Sequence, residues 1–208
     1  MEDDFLEKIK SNFINNVNRL EIERKFLIKG FPDYLWNYKH SNIEQHYISF
    51  EPEVRVRKID DSNLLTFKTD GALERKELEI PVTNLQFKEL KEMSSGSVTK
   101  TRYFIEENDY TYELDVYKDI DNLLTVEVEF ESQEDAENFS VPEWFGEEIT
   151  NIKEFKNKNL ALKGFPRALA CLACQDEIID SCDLCKGKGG LKITHVDLQA
   201  YNEEAEKL

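Results

Sequence analysis

Between residues 21 and 130 the chain places ionic side chains at every second position, segment after segment, and this alternation constrains the fold more than any other feature. Successive side chains of an extended strand point to opposite faces. Glu21, Glu23 and Lys25 therefore share a face, as do Arg55 with Arg57, Thr66 with Lys68, and Arg75 with Glu77 and Glu79. The same holds for Lys100 with Arg102, Glu113 with Asp115, and Glu127 with Glu129. The opposite faces carry Ile22, Val54, Val56, Phe67, Leu78, Ile80, Leu114, Val116, Val126 and Val128. The period of two predicts strands over 20–26, 53–57, 64–68, 75–80, 99–105, 112–117 and 125–130, with a further short strand over 46–50. Asp70-Gly71 and Glu107-Asn108-Asp109 supply turn chemistry between them.

A solvated face of a sheet would mix Ser, Thr and Gln with its charges, whereas these positions are almost all ionic. Three helices with start signals are available to cover the apolar faces. Thr83 and Gln86 form a capping box, with Val82 and Phe87 placed as a hydrophobic staple. Ser132 precedes Glu134 and Asp135 in a first turn, where acids suit the helix dipole. Asn151 and Glu154 resemble another box, and Gly164 stands just past that helix. The expected architecture is α+β: an eight-stranded antiparallel closed barrel with a charged lumen and the helices packed outside.

The lumen would hold eight acids (Glu21, Glu23, Glu77, Glu79, Glu113, Asp115, Glu127, Glu129) and seven bases (Lys25, Arg55, Arg57, Lys68, Arg75, Lys100, Arg102), a sum of −1. So many buried ions are costly unless a ligand or metals complete the network. About two divalent cations would bring the sum to roughly +3, which suits a highly charged phosphate compound. Oxygen-only ligands favour Mg²⁺ or Mn²⁺. The chain has no Walker A loop and no paired Ser and His, and His40, His46 and His195 show no ligand spacing. The residues point to metal-dependent phosphoryl chemistry inside a barrel.

Glu21-Ile-Glu23-Arg-Lys25 matches the ExExK signature of the CYTH superfamily, the triphosphate tunnel metalloenzymes. Further matches follow in order: Arg55-Val-Arg57, Thr66-Phe-Lys68, Arg75 before Glu77 and Glu79, Lys100-Thr-Arg102-Tyr103, Glu113-Leu-Asp115, Glu127-Val-Glu129, and Trp144-Phe-Gly-Glu-Glu-Ile149 before Lys156-Asn-Lys-Asn-Leu-Ala161. Over about residues 20–163 the chain resembles the short bacterial inorganic triphosphatases of that superfamily. The resemblance implies a triphosphate bound along a tunnel axis and hydrolysed by metal-activated water. It implies Glu21, Glu23, Glu127 and Glu129 as first metal ligands for Mg²⁺ or Mn²⁺, with Glu113 and Asp115 next. Arg55, Arg57, Lys68, Lys100 and Arg102 would clamp phosphate, joined by Lys25 and Arg75. Glu21, Glu23, Lys25, Lys100 and Arg102 would be the catalytic set. Family members carry an acidic residue and then Arg-Tyr at the start of the last helix, where this chain has Ile152, Glu154 and Phe155; Lys153 and Lys156 are the candidates to replace the Arg.

Two segments flank this unit, which gives a division into 1–19, 20–166 and 167–208. Phe5, Leu6, Ile9, Phe13, Val17 and Leu20 recur at helical spacing, an amphipathic stripe that docks on the parent domain or on a protein partner. The tail carries Cys171-x2-Cys174-x7-Cys182-x2-Cys185, spacing that brings four thiolates around one tetrahedral ion, with zinc the usual occupant. Its second half resembles the knuckle of the DnaJ-type cysteine-rich domain, but Asp176 and Ile178 stand where that repeat has glycines, so no chaperone role carries over. The zinc is expected to be structural, with the tail also able to recruit a partner.

Acids outnumber bases 43 to 27, a net charge of −16, which disfavours nucleic acid as a partner. No apolar run reaches the ~20 residues of a membrane span, the first residues are acidic, and the cysteines read as thiolates, so a cytoplasmic location is expected. The expected activity is hydrolysis of inorganic tripolyphosphate to pyrophosphate and phosphate. The alternatives are a nucleoside or thiamine triphosphatase or an adenylate cyclase of the same fold, and a catalytically weak polyanion-binding module that recruits a partner through the tail.

Overall fold

The computed structural model describes residues 22–30, 35–68, 77–120, 123–164, 166, 169–170 and 190–191. Strand β1 spans Ile22–Ile28, β2 His40–Phe50, β3 Glu53–Ile59, β4 Ser62–Lys68 and β5 Glu77–Pro81. Helix α1 (Asn84–Glu92) leads to the long hairpin β6 (Gly96–Glu107) and β7 (Tyr110–Tyr117), then β8 (Leu124–Phe130). Helix α2 (Gln133–Asn138), β9 (Phe145–Glu148), a 3-10 turn (Lys153–Phe155) and α3 (Asn157–Lys163) follow. A two-residue ladder, β10 (Leu169–Ala170) with β11 (Gly190–Leu191), stands apart.

The β6–β7 hairpin turns where expected. Glu107 pairs with Tyr110, and the intervening Asn108 and Asp109 both have positive φ (52° and 65°), as a two-residue turn matched to strand twist requires. The Thr83–Gln86 capping box forms, with the Thr83 side chain accepting from the Gln86 amide and Gln86 reaching back to the Thr83 amide. Ser132 caps α2 by accepting from the Asp135 amide at 3.1 Å.

All nine principal strands form one antiparallel sheet in the order β5-β4-β3-β2-β6-β7-β8-β1-β9. Among the described residues, the eight-stranded closed barrel is therefore corrected to a nine-stranded open sheet. Strand β9 takes the far edge of β1, pairing Phe26 with Glu148 and Ile28 with Phe145, so that edge is already occupied. At the other end β5 closes on Pro81, which has no N–H to offer, as suits an edge strand. The sheet nevertheless curls round its ionic face. Leu27 on β1 and Tyr47 on β2 are separated by three intervening strands, yet they fall in one buried cluster.

Packing is two-sided. On the outer face, Phe26, Tyr112, Leu114, Val126, Val128, Phe139 and Phe145 form a buried core under α2 and β9. The helices are short, and they are not all outside as expected. Phe155 and Leu160, from the 3-10 turn and α3, pack with Leu27, Tyr47, Val98 and Tyr117, which lie on the same face as the ionic residues. Gly96 makes that approach possible: a Cβ there would stand 2.8 Å from the Ala161 carbonyl oxygen. The expected Asn151–Glu154 box does not form. Ile152 is the N-cap of the 3-10 turn, with no side-chain cap, and α3 starts only at Asn157, with Lys156 at its N-cap and again no side-chain cap. Gly164 does end α3, at φ 70°.

Candidate active site

Strand register gathers the predicted ionic residues on one continuous face. Lys68 lies opposite Glu77 and Glu53, Thr66 opposite Glu79 and Arg55. Arg55 and Arg57 lie opposite Tyr47 and Gln45 of β2, which in turn face β6. Arg102 lies opposite Asp115, Glu113 opposite Glu127, Lys25 opposite Glu127, and Glu23 opposite Glu129. Glu21 and Arg75 lie outside the described residues, as do Cys171, Cys174, Cys182 and Cys185, the Asp70-Gly71 turn, and the helical stripe from Phe5 to Leu20.

The β6-β7-β8-β1 part of this face is layered. Glu23 and Glu129 are exposed at one end. Glu113 and Arg102 come next, half-buried, and then the buried Lys25, Glu127, Asp115 and Lys100. Beyond these, Leu27, Tyr117, Val98 and Tyr47 meet Phe155 and Leu160 as an apolar plug. Depth thus runs from acids through mixed charge to hydrocarbon.

Arg102 is the hub of the charged layers. Its Nε and Nη2 donate to the two Asp115 oxygens, each at 2.7 Å, a bidentate fork. Nη2 also reaches Glu127 Oε2 at 2.6 Å, and Nη1 pairs with Glu113. Burial opposes the Arg102 charge, but Asp115, Glu127 and Glu113 together hold its pKa well above the ordinary value. Glu127 is likewise opposed by burial, yet Lys25, Arg102 and Lys100 keep its carboxyl well below the usual range. Glu113 goes the other way. Burial raises it, and the neighbouring charges of Glu127, Asp115 and Glu129 add to the rise against the pull of Arg102.

The two buried lysines also diverge. Burial would lower Lys25, but Glu127 at 2.9 Å, with Tyr117 and Asp115 behind it, holds it above its ordinary value. Lys100 pairs with the fully buried Asp115, but burial first and the adjacent Arg102 second bring it down to about 8.

The β3-β4-β5 part carries further ion pairs. Arg55 Nη1 meets Glu53 Oε1 at 3.0 Å, and Arg57 Nη2 meets Glu79 Oε1 at 2.7 Å. Buried Thr66 also donates to Glu79, at 3.1 Å. Glu53, Tyr47, Gln45 and Tyr117 belong to this face but were not among the predicted site residues. Glu53 and Tyr117 simply extend runs already read, two positions before Arg55 and two after Asp115. Tyr47 and Gln45 carry no such signal, because β2 presents Ser41, Ile43, Gln45 and Tyr47 here rather than ions.

Among the described residues, no group of three or more His, Cys, Asp or Glu is gathered to hold a metal ion. Asp115 and Glu127 are turned instead onto Arg102, Lys100 and Lys25. The acids at the exposed end still fit a hard divalent cation by donor chemistry. They offer only carboxylate oxygens, and Glu113 is raised in part by the negative charges around it, a crowding that a cation would relieve. Of the candidates to replace the last-helix Arg, Lys153 is exposed, while Lys156 is half-buried beside Phe155.

An antiparallel sheet curled round a face of interleaved carboxylates, arginines and lysines defines a polyanion-handling domain, and the comparisons give that class its family. The CYTH domain family matches residues 19–164, and the chain belongs to that family. It is 41% identical over 149 residues to an inorganic triphosphatase of Nitrosomonas europaea, covering 68% of this chain and 97% of that protein. An inorganic triphosphatase of Acetivibrio thermocellus is 30% identical over 145 residues, covering 67% and 92%. The crystal structure of an inorganic triphosphatase superposes with a TM-score of 0.57 at 38% identity, covering 69% of this chain and 95% of that one.

Proposed function

We propose that this protein is a hydrolase of phosphoanhydride bonds that splits inorganic tripolyphosphate into pyrophosphate and phosphate. The observation that carries this reading is the layered ionic face, in a chain 41% identical to an inorganic triphosphatase across nearly all of that protein's length. Arg55, Arg57 and Lys68 grip the phosphate chain on the β3-β4-β5 side, while Lys25, Lys100 and Arg102 neutralise it from the buried layer. Water adds to a terminal phosphorus in line with the bridging oxygen. The P–O bond to the bridge breaks, and pyrophosphate leaves. Such a reaction needs positioning and charge neutralisation more than a protein nucleophile. Glu23, Glu129 and Glu113, with Glu21, would hold Mg²⁺ or Mn²⁺, which when bound supplies charge neutralisation and an activated water. Asp115 and Glu127 act in this reading mainly by fixing Arg102, Lys100 and Lys25. Turnover measured on tripolyphosphate, ATP and thiamine triphosphate, with each metal, tests the proposal. Tripolyphosphate should be hydrolysed fastest, and no turnover of any of them would leave only a polyanion-binding module.

The CYTH unit is taken to run over 20–166, with the amphipathic helix at 1–19 docked on it and a zinc knuckle in 167–208. The reading of the knuckle rests on the paired Cys-x2-Cys spacing of Cys171, Cys174, Cys182 and Cys185. A reducing, cytoplasmic setting would keep them as thiolates. Elemental analysis should find about one zinc per chain, lost on replacing Cys182 and Cys185 with Ser. Zinc-free protein with two disulfides would overturn this.

A further inference from the structure

Tyr117 stands where the apolar plug meets the buried charged layer, 3% exposed, and the proposed chemistry does not call on it. Its hydroxyl donates to Asn157 Oδ1 at 2.6 Å, on the first residue of α3. The same oxygen accepts from Lys25 Nζ at 3.5 Å. An ammonium has three N–H donors. Those of Lys25 meet Glu127 Oε1 at 2.9 Å, the Phe155 carbonyl at 3.2 Å and Tyr117. Phe155 belongs to the turn that leads into α3, and Tyr117 is bonded to α3, so two of the three acceptors depend on how that helix is seated. The Lys100 ammonium lies 5.4 Å from the centre of the Tyr117 ring. One side chain therefore touches both buried lysines, with its hydroxyl toward Lys25 and its ring toward Lys100.

The direction of these bonds matters. A phenol has one proton, and Asn157 Oδ1 draws it away from the lysine, which leaves a lone pair for the ammonium. Without that acceptor the proton could swing toward Lys25 and oppose its charge. The chain Lys25 to Tyr117 to Asn157 runs donor to acceptor throughout, so each bond polarises the next.

We infer that Tyr117 and Asn157 are positioning residues that hold the Lys25 ammonium in place against Glu127, and that through them the seat of α3 becomes part of the active site. The inference rests on the proposed hydrolysis of tripolyphosphate. It predicts a specific kinetic signature. Tyr117→Phe keeps the ring and the plug and removes only the hydroxyl. Turnover of tripolyphosphate with Mg²⁺ should lose about tenfold in kcat, since a small misplacement of a charged group costs rate strongly. KM should rise by less than kcat falls, because Lys25 keeps its bond to Glu127 and Arg55, Arg57 and Lys68, which grip the phosphate chain, are untouched. Asn157→Ala should do the same, and the double variant should be no slower than the slower single, as expected when two residues act through one contact. An unchanged kcat for Tyr117→Phe, a loss carried by KM, or fully additive losses would each overturn the inference. Amide hydrogen exchange separates this from failure of the hydrolysis itself. Tyr117→Phe should speed exchange in 157–163 while leaving β8 unchanged, whether or not the wild type turns over tripolyphosphate. Unaltered exchange in α3 would show that the link does not exist.

Discussion

The two halves of the ionic face solve the same electrostatic problem in different ways. On β6, β7, β8 and β1 the charges are buried and shared: Arg102 serves three carboxylates, and Glu127 answers both Lys25 and Arg102. On β3, β4 and β5, Arg55 meets Glu53 and Glu79 takes both Arg57 and Thr66, and the Arg57 and Glu79 side chains keep about a fifth of their surface exposed. A shared buried network is rigid and penalises the loss of any member, because the others stay behind as unpaired charges. The Arg57–Glu79 pair is half-buried and reaches solvent, so it exchanges its partner for a ligand or for water at lower cost than the buried network does. The first half therefore acts as a fixed electrostatic template, and the second as the side that yields to an incoming polyanion.

The largest effect expected from this contrast is on stability. Arg102→Met removes the partner that Glu113, Asp115 and Glu127 share, leaving Asp115 to Lys100 and Glu127 to Lys25, and should cost about 3–5 kcal/mol in urea unfolding, as breaking a buried ionic cluster does. Arg57→Ala, which breaks the half-buried pair with Glu79, should cost less than Arg102→Met while raising KM for tripolyphosphate. Equal losses would erase the distinction between the halves. Next in size is Glu129→Gln, at the exposed acidic end. It should reduce kcat by about a hundredfold, as the loss of a transition-state charge partner does, with the unfolding midpoint unchanged. A folded variant with normal turnover would remove Glu129 from the site.

The buried lysines sharpen the comparison through pH. Lys100, lowered to about 8, loses its proton as pH rises through that value, whereas Lys25, held high, stays charged. With Lys100 acting as a cation, turnover should fall on the alkaline side near pH 8. Lys100→Arg, which cannot deprotonate in this range, should abolish that limb even if its rate is lower. An alkaline limb that persists in Lys100→Arg belongs to another group. Stability should move the opposite way. A lysine whose folded pKa lies below its unfolded value leaves the unfolded state holding more protons between about 8 and 10.5, so this residue's contribution improves as pH rises across that window.

The smallest effect lies on the outer face. Arg24 forks onto Glu148 at 3.0 and 2.6 Å and ties β1 to β9, and its side-chain hydrogen bond lowers the Glu148 carboxyl. Glu148 is exposed, so Glu148→Gln should change stability by less than about 1 kcal/mol and leave turnover alone. The wild-type contribution is present at neutral pH and lost as pH falls through the lowered Glu148 value. A large change there would mean that β9 supports the site more than its exposure implies.

The ionic face was legible because strand pairing preserves what alternation writes. Glu113 and Glu127, or Lys25 and Glu127, fall opposite one another on the face that each strand's own period assigns. Local caps were legible for the same reason, since Thr83 and Gln86 are near neighbours in the chain. Strand β9 was not, because four residues including a glycine make too short a pattern, and they become a strand only by lying along β1. The Asn151–Glu154 box looked right locally but was overridden. Phe155 is drawn into the cluster with Tyr47 and Val98, and the chain reaches it through a 3-10 turn rather than a helix.

By itself, then, the sequence determined which residues face one another across the strands, because that depends on a period of two and nothing further. Tertiary structure alone decided that the sheet, among the described residues, ends in two edges rather than closing, that α3 sits on the ionic face over Gly96, and that Tyr117 joins Lys25 to Asn157. Each of these is a contact between segments far apart in the chain, set by which surfaces can be buried together, and no local period records it.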